Sequence, residues 1–128
     1  MKKTILLIAA IFLVSGCAKP PTTAELNSAD YGPKPEVYKE AIKAYYNSKL
    51  LDPYSSMFTF TEPRKGWSGP NTVYGWKVCG TVNGKNRMGG YAGAKPFYVL
   101  FRNGEIVKHH DDLSDNPFMK AIVEKKCK

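Results

Sequence analysis

Apolar and polar positions divide the chain into three kinds of segment. Thr4 to Val14 is an almost unbroken apolar run behind Met1-Lys2-Lys3. It spans about a dozen residues, where a bilayer-crossing helix needs roughly 20. Residues 18–34 (AKPPTTAELNSADYGPK) hold few large apolar groups. Such a composition cannot offset the entropy of ordering, so a flexible tether is expected there, with a reach of roughly 20–25 Å. From residue 35 onward apolar positions recur with clear periods.

Residues 35–51 read as one amphipathic helix. Val37, Tyr38, Ala41, Ile42, Ala44, Tyr45 and Tyr46 fall on one arc at helical spacing, opposite Glu36, Lys39, Glu40, Lys43 and Asn47. Pro35 suits the first helical position, and Asp52-Pro53 stops the helix. Tyr54 to Thr61 reads as a strand. Glu62 to Asn71, with Pro63, Gly66, Gly69 and Pro70, reads as a loop carrying Trp67. Thr72 to Val82 alternates, with Tyr74, Trp76, Val78 and Val82 on one face and Lys77, Cys79 and Thr81 on the other. Lys95 to Arg102 is apolar on both faces and should be a central, doubly covered strand. Asn103-Gly104 predicts a type I′ hairpin turn into Glu105–Lys108. Pro117 opens a last short helix. The expected domain, residues 35–128, is α+β: an N-terminal helix, a four-stranded and mainly antiparallel sheet, and a short C-terminal helix.

The start of the chain also gives it an address. A charged opening, a short apolar run and small residues form a secretory signal over residues 1–16. Val14-Ser15-Gly16-Cys17 resembles the lipobox of bacterial lipoproteins, in which the cysteine thiol takes a diacylglyceryl group. The resemblance implies cleavage before Cys17, lipid on Cys17, and a tether over residues 17–34. Ala18 lacks the aspartate that retains such proteins in the inner membrane. The outer membrane, facing the periplasm, is therefore the expected location, with the membrane itself a partner through the anchor. Cys79 and Cys127 remain as one pair, which an oxidising compartment would join as a disulfide.

Loss of Lys2 and Lys3 lowers the formal charge from +8 to +6. A basic exported domain suits an anionic envelope component or an acidic protein. The address argues against nucleic acid. The segment from Asn83 to Gly93 is the candidate binding loop, through Asn83, Lys85, Asn86, Arg87 and Tyr91. Its glycines let backbone N–H groups approach a ligand, and its cations favour anions. It holds neither a Walker motif nor a dinucleotide fingerprint.

Val78-Cys79-Gly80-Thr81-Val82-Asn83-Gly84-Lys85-Asn86, followed by Gly89-Gly90-Tyr91-Ala92-Gly93, resembles a segment of an uncharacterised group of small bacterial and prophage-encoded envelope proteins. Leu51-Asp52-Pro53-Tyr54-Ser55 resembles the helix exit of the same group. The resemblance implies an existing family and no activity.

Catalysis needs a nucleophile with a base, a carboxylate pair, or metal ligands. His109 and His110 are the only histidines. Neighbours on a strand face opposite ways and do not chelate one ion. Ser55, Ser56 and Ser68 lack a nucleophile-elbow context. No enzyme, cofactor or metal is expected. The function expected is a non-catalytic binding or assembly module. The alternatives are an inhibitor lipoprotein, directed at lysozyme or excluding phage, and a structural spacer.

Overall fold

In the computed structural model, which describes residues 19–128, the chain order is α1 (Thr23–Ser28), α2 (Tyr38–Asn47), β1 (Met57–Phe60), β2 (Arg64–Ser68), β3 (Val73–Asn83), β4 (Lys95–Arg102), β5 (Glu105–Asp111) and α3 (Pro117–Cys127). The signal segment 1–16 and Cys17 lie outside the described residues. The fold is α+β with an antiparallel sheet, as expected.

β3 organises the sheet. One of its edges pairs with β4 and the other is shared by β1 and β2 in succession. β5 closes the far side on β4. On one face, Tyr38, Ile42 and Tyr46 of α2 recur every four residues and pack on Val78, Val82, Phe97, Val99 and Phe101. On the other, Val123 of α3 packs on Cys79, Tyr98 and Leu100, beside half-buried Val73 and Cys127. β4 alone supplies both faces, which accounts for its unbroken apolar run. The second core is small, and the Cys79–Cys127 disulfide binds its helix to the sheet. Both clusters lie between Tyr38 and Cys127.

Local chemistry sets the turns. Asn103 (φ 52°) and Gly104 (φ 80°) both take positive φ, the type I′ signature. Asn116 caps α3 by accepting from the Phe118 N–H at 3.0 Å, with Pro117 at the first turn. Gly80 answers a different need. A Cβ there would sit 1.9 Å from the Thr59 carbonyl oxygen and 2.9 Å from the Phe97 ring.

The sheet has five strands rather than four, because Arg64–Ser68 pairs with β3 where a loop was expected. The Pro and Gly residues there are compatible with an edge strand. Pro63 falls in the break between β1 and β2, where it displaces no ladder donor. α2 begins at Tyr38 instead of Pro35 and ends at Asn47. Val37 caps it without a side-chain bond, and Pro35 is buried.

The expected tether is corrected most. Thr22 and Glu25 form a reciprocal capping box that starts α1. Downstream, Tyr31 is 7% exposed and meets Tyr74 edge to face at 5.6 Å. The Trp76 indole N–H donates to the Gly32 carbonyl at 3.0 Å. Arg102 pairs with the Asp30 carboxylate at 3.2 Å. One buried tyrosine and two long-range polar contacts thus fasten a stretch whose composition suggested freedom.

Candidate basic groove and loop

The Asn83–Gly93 loop is built largely around its own polar groups. The Asn83 side chain accepts from the Gly93 N–H at 3.0 Å. Asn86 Oδ1 accepts from the Met88 and Gly90 N–H groups at 3.0 and 3.1 Å. The Tyr91 hydroxyl donates to the Ser55 carbonyl at 2.9 Å, and Lys85 bridges to Tyr91 with its ammonium 5.6 Å from that ring. These side chains satisfy backbone groups that would otherwise need water. Arg87 and Met88 stand exposed at the tip. A shallow cavity of roughly 220 Å³ beside the loop includes Lys85 and Asn86, but its Lys95 is already paired with Asp115.

A larger site lies elsewhere. A groove of roughly 920 Å³ follows the outer edge of β2, between α1 and the end of α3. Its lining includes Lys19, Lys65, Lys77, Lys125, Lys126 and Lys128, and neither Asp nor Glu. Leu26, Tyr31, Trp67 and Ile122 give it apolar surface.

Two of the six lysines have structural duties. Lys77 donates to the Lys126 carbonyl at 3.3 Å, and Arg64 donates to the Cys127 carbonyl at 3.4 Å. Cations here complement the negative end of α3 and satisfy its last carbonyls. Lys126 donates to the buried Ser68 hydroxyl at 3.4 Å and lies 5.3 Å from the Tyr98 ring centroid. Lys19, Lys65, Lys125 and Lys128 are exposed, with Lys65 resting 5.2 Å from the Tyr31 ring centroid.

Electrostatics marks the groove as short of negative charge. Burial, and then nearby Arg64, hold the Lys77 ammonium below the ordinary lysine range. Burial, and then Lys108 and Lys125, do the same to Lys126. A bound anion would oppose the repulsive part of both effects. Burial also pushes the Tyr98 phenol up to about 12, against a smaller lowering by the Ser68 hydroxyl near it.

Sequence reasoning therefore identified the loop and missed the groove. The visible signals were Lys65 beside Trp67 and the Lys125-Lys126-Cys127-Lys128 ending. Only pairing of β2 with β3, the disulfide and the fastened N-terminal segment bring them together. Among the described residues, no group of three or more His, Cys, Asp or Glu side chains is placed to hold a metal ion. Likewise, no described helix is long and apolar enough to cross a membrane. Comparison with protein-family models, curated proteins and solved structures finds no match.

Proposed function

We propose that this chain is an envelope lipoprotein, held by lipid on Cys17, that acts as a non-catalytic binding module for an anionic ligand. The observation that carries this reading is the groove: six lysines and apolar side chains line one concavity, with no Asp or Glu among them. Cations beside aromatic and aliphatic surface favour an amphiphilic anion over a small hydrated one. The binding surface moves accordingly from the Asn83–Gly93 loop to the β2 edge. The outer membrane, facing the periplasm, is the location that follows from Ala18 and Lys19 after the lipidated cysteine.

Two experiments test the reading. Radiolabelled palmitate should enter the wild-type chain and not Cys17→Ser; label in neither removes the anchor. The unlipidated exported chain, carrying Cys17→Ser, is then offered phosphatidylglycerol vesicles, lipopolysaccharide and purified peptidoglycan. It should bind at least one, more weakly as salt rises. Lys65→Ala/Lys125→Ala should weaken that binding about tenfold or more while thermal unfolding is unchanged. Binding to none of the three would sink the module.

A further inference from the structure

We infer that the groove's ligand is the anionic headgroup layer of the same bilayer that holds the chain, so that the domain lies against its membrane, groove first. This rests on the lipid-anchor reading and adds to it an orientation and a ligand class.

Lys19 lines the groove, and Cys17 is two residues away. Two residues reach at most about 7 Å. The headgroup layer of one leaflet is itself roughly 6 Å thick. A lipid on Cys17 therefore holds the Lys19 side of the groove at the headgroups. A free tether over residues 17–34 would have allowed the domain to swing away, but the Thr22 capping box starts a helix there, and Leu26 and Tyr31 of the same segment line the groove. Tyr31, Gly32 and Asp30 then fasten it to β3 and β4.

Chemistry agrees with that placement. Lys19, Lys65, Lys125 and Lys128 are exposed and line the same concavity. Trp67, half-buried beside them, has the amphipathic ring that settles at headgroup depth. A phosphodiester joined to an acyl chain matches a concavity that combines ammonium groups with Leu26, Trp67 and Ile122. Two acyl chains already anchor the protein. The groove would set orientation, not attachment.

The test uses the exported chain with Cys17→Ser, so that no lipid dominates binding. It is sedimented with phosphatidylcholine vesicles, with and without phosphatidylglycerol. Binding should require phosphatidylglycerol, and Trp67 emission should shift to the blue, a change that Trp67→Phe removes. Lys19→Ala/Lys65→Ala/Lys125→Ala/Lys128→Ala should weaken binding by about two to three orders of magnitude, at about fivefold per lysine. The same four positions as arginine should restore it, which separates lost charge from lost folding. Lys85→Ala/Arg87→Ala removes two charges from the opposite end of β3 and should change binding less than about twofold. Equal loss per charge in both variants would mean that net charge alone binds, and would overturn the orientation. Binding to peptidoglycan, lipopolysaccharide or free inorganic phosphate without binding to phosphatidylglycerol vesicles would overturn this inference and leave the binding module standing. Binding to none of them overturns both.

Discussion

The two ends of β3 teach opposite lessons about polar residues. At its C-terminal end lies the Asn83–Gly93 loop, whose carboxamides and tyrosine hydroxyl are consumed by its own backbone and by Ser55. That end also presents apolar groups outward: Tyr54, Met88 and Leu51 are exposed, near exposed Arg87. At its N-terminal end lies the groove, where four lysines remain exposed beside Trp67. The 11-residue strand that carries them is roughly 33 Å long. Residue types of equal promise thus have different fates. Asparagines and glycines in a hairpin close their own turn, whereas the lysines gathered from separate segments have no Asp or Glu among the groove's lining.

Removing the disulfide should separate the two ends most sharply. Cys79 and Cys127 are 48 residues apart, and closing such a loop stabilises by about 4 kcal/mol in the chain-entropy model. Cys79→Ala/Cys127→Ala should lower unfolding stability by up to that amount. Val123 is the only fully buried residue of α3, so the helix should loosen first. Hydrogen exchange should rise across α3 and the groove while the Asn86 turn keeps its protection. Uniform loosening of both ends would show that the second core does not depend on the bridge.

Tyr31→Ala comes next and tests whether the N-terminal segment belongs to the groove. The ring is buried against Tyr74, and its hydroxyl donates to the Leu26 carbonyl at 2.7 Å. Truncation should cost about 2–3 kcal/mol and expose residues 22–32 to limited proteolysis. A segment still resistant to protease would place its anchorage in Trp76 and Arg102 instead.

This segment also shows where sequence pattern stops. The α2 stripe, the two-faced β4, the Asn103-Gly104 turn and the Asn116-Pro117 cap were legible because each is a short-range pattern with one physical cause. The cysteine pairing was legible by count. β2 was not, since an edge strand needs only backbone pairing and tolerates Gly66. Neither was the N-terminal attachment: composition averaged over residues 18–34 hid one buried tyrosine and the Thr22–Glu25 box. The groove showed only scattered lysines and Trp67, because its lining comes from four stretches that meet only after folding.

At the other end, Asn86→Ala should be a purely local lesion. It leaves the Met88 and Gly90 N–H groups without their acceptor, but both are exposed and water can replace it. The cost should be about 1 kcal/mol, read from the urea midpoint, with anion binding at the groove unaffected. A loss of anion binding in this variant would reverse the assignment of the two ends.

The smallest effect is also the most discriminating, because the two histidines sample the two faces of the sheet. His109 lies 4.9 Å from the Tyr45 ring of α2, and His110 lies 5.9 Å from the Tyr98 ring, on the groove face. Both are held below the ordinary value of 6.5, first by burial, then by Lys49 for His109 and by Lys126 for His110. Their folded pKa values are depressed, so in acid the unfolded chain takes up protons first. Stability is then full above about pH 6.5 and is lost as pH falls through the folded values. His109→Gln/His110→Gln should flatten that decline in urea titrations. An anion in the groove offsets the field of Lys126 and should raise the His110 pKa while leaving His109 where it is, as imidazole NMR shifts would report. Equal movement of both would place the anion outside the groove, and movement of His109 alone would place it on the α2 face.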